Sequence, residues 1–157
     1  LDQLDRVKRA GIIPSFFVAH VLHWGEIHIR NTGLQRASKI SPLRSALERN
    51  MHFTLHQDSP VILPDMLETI YCAVARKTET GRILGEDERI DARSALRAVT
   101  AEAAYQYFEE NETGTLSEGK RENLIILSEN PVGCPEEKLR EIRVEETIRD
   151  GETVFNL

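Results

Sequence analysis

Two β-rich runs, IIPSFFVA at residues 12–19 and MHFTLHQ at 51–57, each give way to helical sequence. That alternation constrains the fold more than any other feature, because strands interleaved with helices build a parallel α/β sheet or barrel. In such folds the chemistry gathers at the C-terminal ends of the strands. The second run delivers polar groups at that end. Phe53, Thr54 and Leu55 read as strand, His56 and Asp58 follow at once, and Pro60 forbids the strand to continue. His20 stands in the same relation to the first run.

The rest of the chain fits this frame. Residues 2–10 place Leu4 and Val7 on one face of a short helix that Gly11 ends. HVLHWGEIHIR (20–30) reads as a loop passing into helix, with Gly25 as an interruption. GLQRASKI (33–40) reads as a short helix or turn. Ser41-Pro42 is a start signal for PLRSALERN, with Ser as N-cap and Pro at the first helical position. Asp65 is placed to cap MLETIYCAVARKT, whose Met66, Leu67, Ile70, Ala73 and Val74 recur at helical spacing. Asp91 caps a helix with the stripe Ala95, Leu96 and Val99, and Thr100 caps AEAAYQYFEE. The character changes near Asn111. A strand is expected at 123–128, and Asp150-Gly151 is a hairpin turn between Ile142–Ile148 and the return strand Glu152–Phe155.

Composition narrows the class. The 157 residues are 40% hydrophobic and 29% charged, ordinary for a globular domain or a large piece of one. A net charge of −6 argues against nucleic acid, whose phosphates need a surplus of Lys and Arg. No apolar run approaches the roughly 20 residues of a membrane helix, so no membrane partner is expected. The start, LDQLDRVKRAG, is amphipathic and charged, unlike a signal peptide. Cys72 and Cys134 lie far apart without metal-ligand spacing and read as reduced thiols of a cytoplasmic protein. The absence of an initiating methionine fits a piece of a longer protein and fits simple processing equally.

Several residues could do chemistry. A carboxylate at a strand tip, Asp58, can bind a divalent metal or take a proton from water. It can also be a plain turn residue, with Gln57-Asp58-Ser59-Pro60 as an Asx-turn. If 20–28 is helical, His20 and His23 share a face with Glu26 near His23, yet the pattern is no HExxH. These imidazoles suit zinc, a polar pocket, or helix capping. Trp24, the one tryptophan, is a core residue or a pocket wall, and Cys72 sits on an apolar helix face. The run EEKLREIRVEETIRDGE reads as the solvated face of strands. No phosphate-binding loop or Gly-x-Ser-x-Gly nucleophile motif is present.

Taken in order, HVLHWGEIH, RASKISPLRSALERNMHFTLHQDSPV, PDMLETIYCAVARKT, ARSALRAVTAEAAYQYF and GTLSEGKRENLIILSENP resemble the C-terminal third of the amidohydrolase superfamily. The branch is the YtcJ-like, N-substituted formamide deformylase-like one, and the likeness runs over almost the whole chain. It implies an α/β fold: the C-terminal portion of a metal-dependent-hydrolase (β/α)8 barrel plus part of a small β-sandwich. Residues 1–110 would be strands seven and eight with their helices, and 111–157 the C-terminal part of the sandwich. It implies one or two divalent metals, usually zinc, and an amide or formamide as small-molecule substrate. By the same resemblance Asp58 matches the Asp ending strand eight, which contacts the metal and shuttles a proton to the leaving nitrogen. His20, Trp24, His28 and His56 match substrate-pocket positions.

This chain departs from the family's pattern in three places. It contains no His-x-His, and the strand-six histidine falls before Leu1, so most metal ligands are expected outside it. His23 stands where the branch often has an aromatic residue, and Glu122-Asn123 replaces the usual Ala-Asp. Amide hydrolysis is thus expected of the intact protein and not of this piece alone. A non-catalytic binding or assembly module remains the rival reading. Open sheet edges expose unpaired N–H and C=O groups, and homo-oligomers are expected if the piece stands alone. A small zinc protein using its own histidines is a third.

Overall fold

The computed structural model describes residues 2–157 and is mixed α/β. Helix α1 (Asp2–Arg9) carries Asp2 and Asp5 in its first turn and Arg6, Lys8 and Arg9 in its last, charges that complement the helix dipole. Leu4 is buried, Val7 packs beside it, and Gly11 at φ +65° ends the run. Strand β1 (Ser15–Phe16) then enters the core and leads directly into α2 (His20–Thr32). Two short helices, α3 (Leu34–Ala37) and α4 (Leu43–Glu48), return the chain to β2 (Thr54–Leu55). β1 and β2 are parallel, with Ser15 opposite Thr54 and Phe16 opposite Leu55. Helices α5 (Met66–Ala75), α6 (Ala92–Val99) and α7 (Ala101–Gln106) follow.

Most of these elements share one core, while Ala37 of α3 packs in a second small cluster with Val21 and Leu84. Val18, Ala19, Leu43, Phe53, Leu55, Ile70, Cys72, Ala73, Ala95 and Ala98 bury together, and Phe16 meets Phe53 edge-on at 5.7 Å between ring centres. Capping follows the expected chemistry at two helices. Asp65 accepts from the N–H groups of Leu67 (2.9 Å) and Glu68 (3.0 Å), and Asp91 accepts from Ser94 N–H (2.9 Å). At two others it does not. Ser41 sits at φ +45° with its hydroxyl on the Phe17 carbonyl, and helix α4 starts only after Pro42. The Thr100 hydroxyl donates back to the Leu96 carbonyl at 2.8 Å instead of capping α7.

The segment read as loop into helix is helical from His20 onward. Gly25 does not interrupt it. A Cβ there would stand 2.5 Å from Thr78 Cγ2, so the glycine admits the 77–84 loop against the helix. The paired strands are also shorter than the β-rich runs, because only two residues of each find a backbone partner across the sheet.

Arg76 locks this part of the fold. It is fully buried in the left-handed conformation and donates to the carbonyls of Leu84 (2.8 Å), Ser41 (2.9 Å) and Ile40 (2.8 Å). Burial lowers its pKa to about 10, with the nearby Glu88 opposing, so it stays cationic at neutral pH. Glu88 is itself buried and accepts from the Ser45 N–H and hydroxyl.

The C-terminal segment attaches through a 3₁₀ turn at Glu136–Arg140. Leu139 and Ile142 enter the core, Arg140 lies over the Tyr71 ring, and Glu136 pairs with Lys77 (2.7 Å) and Arg89 (2.6 Å). The acidic run is therefore partly an anchor and not only a solvated strand face. Strands β3 (Leu124–Leu127), β4 (Val144–Arg149) and β5 (Glu152–Asn156) form an antiparallel sheet in the order β3-β4-β5. Asp150 (φ +49°) and Gly151 (φ +80°) make the tight turn between β4 and β5. Both cysteines are free thiols, and no helix among the described residues is long and apolar enough to cross a membrane.

Candidate active site

Because β1 and β2 run parallel and in register, their C-terminal ends lie side by side. The His56 N–H donates to the Phe16 carbonyl at 3.1 Å, and Ser15 Oγ is 2.8 Å from His56 Nδ1. Phe17 leaves β1 at that level and becomes the hub of an aromatic cluster. Its ring is 4.5 Å from His20, 5.4 Å from His56 and 6.1 Å from Trp24, centre to centre. His20 and Trp24, four residues apart on α2, meet at 4.9 Å between ring centres, tilted by 47°. His28 adds the next ring of the row, with its Nε2 3.0 Å from His20 Nδ1.

The fold thus brings together His20, Trp24, His28 and His56. Asp58 belongs to the same end. Burial and then His28 lower the pKa of His20, with His56 and His23 adding to the effect, while the Asp58 carboxylate pulls it back up. Asp58 is exposed and sits at φ +53°. Its carboxylate makes no hydrogen bond or ion pair among the described residues, so no Asx-turn or helix cap occupies it. It is an open oxygen donor at a strand tip, which fits one ligand position of a divalent metal. Among the described residues no three His, Cys, Asp or Glu side chains converge to hold a metal ion. His20 pairs with His28, and His23 Nε2 turns away to Glu68 Oε1 at 2.9 Å, so the chain's own histidines pair rather than converge.

Sequence reasoning missed four participants. Phe17 was one more strand residue, though its place at the end of β1 was a usable signal. Ser15 and Glu68 gain their roles only through contacts 41 and 45 residues away. Gln57 is buried beside Asp58 and donates its side-chain N–H to the Asp65 carbonyl, which closes the 58–64 loop onto the start of α5.

Parallel strands whose tips carry paired histidines and a free carboxylate form an α/β scaffold with its polar groups at one end, and sequence comparison places it. The chain belongs to the amidohydrolase family, whose model matches residues 1–155. It is 36% identical over 129 residues to N-substituted formamide deformylase of Arthrobacter pascens, a match covering 82% of this chain and 24% of that protein. It is 34% identical over 130 residues to Protein LONG AFTER FAR-RED 3 of Arabidopsis thaliana, covering 80% of this chain and 22% of that one. The chain therefore spans about a quarter of the length of the curated relatives it matches. An uncharacterized metal-dependent hydrolase of Pyrococcus horikoshii OT3 shares the fold, with a TM-score of 0.72 at 24% identity over 87% of this chain and 28% of that one.

Proposed function

We propose that the intact protein is a metal-dependent hydrolase that cleaves a C–N bond of an amide or formamide, and that this chain supplies the last part of its site. The observation that carries the reading is the open Asp58 carboxylate at the shared end of β1 and β2, beside His20 and His56. In this reading residues 1–110 are the final strand–helix units of a (β/α)8 barrel, and residues 111–157 contribute to a β-sandwich. The other metal ligands come from sequence outside residues 1–157. The two free thiols support a cytoplasmic setting.

A bound divalent cation, zinc in our proposal, supplies Lewis acidity at the carbonyl and makes water a competent nucleophile near neutral pH. Asp58 accepts the proton that water loses as its oxygen bonds to the carbonyl carbon. It then delivers that proton to the nitrogen as the C–N bond breaks, leaving an amine and a carboxylic acid. Positioned proton transfer of this kind contributes roughly 10²–10⁴-fold. Phe17 and Trp24 wall the site, while His20, His28 and His56 present its polar edge.

The test compares the intact protein and the 157-residue chain, each with added zinc, for formate or amine release from N-substituted formamides. Turnover by the intact protein alone supports the proposal. Turnover by the isolated chain removes the division of labour, and inactivity of the metal-loaded intact protein removes the hydrolase reading. A second reading has its own observation. Every residue of β5 is exposed, so the edge of the C-terminal sheet is open to pairing with a second copy of the chain. A light-scattering mass of one protomer for the isolated chain excludes that assembly.

A further inference from the structure

We propose that Ser15 is a positioning residue that sets the rotation of the His56 ring, and so makes Nε2 the nitrogen that His56 presents to substrate. The inference rests on the site reading above. It adds to that site a side chain from the body of β1, where the other members stand at or beyond the strand tips.

The strand register puts the two residues in reach. Ser15 stands opposite Thr54 and Phe16 opposite Leu55, so Phe17 is level with His56. Side chains alternate along a strand, which sends Ser15 and Phe17 to one face and His56, two residues beyond Thr54, to the same face. Phe16 meets Phe53 on the other. The His56 N–H is held on the Phe16 carbonyl at 3.1 Å, which fixes the backbone from which the ring departs. Ser15 Oγ then lies 2.8 Å from His56 Nδ1.

The ring has a choice that packing does not make. The second side-chain torsion of histidine is broad and roughly two-fold, and a half-turn about it exchanges Nδ1 with Cδ2 and Nε2 with Cε1. Phe17 lies against the ring at 5.4 Å between centres and 39° between planes. That contact holds the plane of the imidazole, but it offers the same hydrocarbon surface to both rotations. Ser15 tells them apart, because its hydroxyl bonds a ring nitrogen and not a ring carbon. It does so for either neutral tautomer, since a hydroxyl both donates and accepts. The two nitrogens of an imidazole point widely apart. Ser15 sits two residues back along β1 from the level of the ring, so Nδ1 faces the strand body and Nε2 faces away from it. Nε2 has no hydrogen-bond partner among the described residues and is the nitrogen left for a ligand.

The experiment compares the intact wild-type protein with Ser15→Ala and with the near-isosteric pair Ser15→Thr and Ser15→Val, which differ by a hydroxyl against a methyl. His56 ring nitrogens are read by long-range ¹H–¹⁵N correlation in ¹⁵N-histidine-labelled protein and assigned by their loss in His56→Gln. The Nδ1 resonance should move in Ser15→Ala and Ser15→Val and return in Ser15→Thr. With N-substituted formamides, KM should rise roughly 2–10-fold in the Ala and Val forms while kcat holds, and Thr should restore it. An unchanged Nδ1 signal or an unchanged KM in folded Ser15→Ala overturns the proposal. So does a fall in kcat at constant KM, which would put Ser15 in the chemistry and not in the positioning. Should Ser15→Ala fail to fold, the Thr and Val forms decide, since both are β-branched and suit a strand. Absence of formamide turnover by the wild type sinks the hydrolase reading, while the Nδ1 resonance still shows whether Ser15 holds His56.

Discussion

The α/β region around β1 and β2 and the C-terminal sheet of β3–β5 manage backbone and side chains in opposite ways. β1 and β2 share only two residue pairs, yet both residues of β2 are buried and helices pack over them. The sheet β3-β4-β5 has long ladders, yet none of its residues is fully buried and every residue of β5 is exposed. Val154 and Phe155 lie 59% and 47% open on that edge. Backbone pairing and burial are separate achievements. The first region has its own core and a polar tip over it. The second has hydrogen-bonded strands whose apolar faces still lack a cover.

The largest effect that bears on this contrast is catalytic. If Asp58 shuttles the proton as proposed, Asp58→Asn in the intact protein keeps the shape of the tip and removes that group, so kcat should fall roughly 10²–10⁴-fold. Glu146→Gln on β4 should leave kcat unchanged within error. Equal losses would erase the distinction between a reacting region and a supporting one.

Packing gives the next effect. Phe53 is 3% exposed and fixed edge-on by Phe16, so Phe53→Ala should cost about 3–5 kcal/mol in urea unfolding. Phe155→Ala should stay within about 0.5 kcal/mol if β5 is as uncovered in solution as in the structure. A large cost for Phe155→Ala would reveal that something covers the sheet.

Polar locking comes third. Arg76→Met removes three hydrogen bonds but strands two carbonyls, the buried one of Leu84 and the part-buried one of Ile40, since that of Ser41 keeps the Leu43 N–H, at about 1 kcal/mol or more each. A loss of about 2 kcal/mol is expected. Thr153→Val on β5, which removes a hydroxyl from Glu146, should cost under about 0.5 kcal/mol. Both follow from urea titrations at one pH.

These residues also show where sequence was enough. Asp65, Asp91 and the Asp150-Gly151 turn were legible because a cap or a tight turn is decided within four residues. The gathering of His20, His56 and Asp58 was legible from strand direction alone. What was not legible depends on distant atoms. Gly25 looks like a helix breaker until Thr78 is placed against it. Arg76 looks like a surface charge until loops 35 and 36 residues upstream present their carbonyls. Helix periodicity puts His20 and His28 on one side of α2 but does not say that their rings meet. Strand length depended on how many partners the sheet offers, which the sequence of one strand cannot state.

The smallest effect separates the regions by acid. Burial pushes the Asp91 carboxyl up, but hydrogen bonds from the Ser94 N–H and hydroxyl outweigh it and the net pKa is lowered. A carboxyl lowered in the folded state contributes stability above its unfolded pKa of about 3.9, and loses it as pH falls through the folded value. At pH 7 Asp91→Ala should therefore cost about 1 kcal/mol through the lost cap of α6. The gap between wild type and variant should narrow as pH falls below about 3.9 and on through the lower folded value, where the wild-type carboxyl takes up its proton. Gly151→Ala strains the β4–β5 turn at φ +80° and should also cost about 1 kcal/mol, but through backbone conformation. Its cost should persist across the same acid range. Urea midpoints of the three proteins from pH 7 to pH 3 decide the matter. An Asp91→Ala gap that survives acid would mean that the aspartate acts through packing, and that titration does not distinguish the helical region from the sheet.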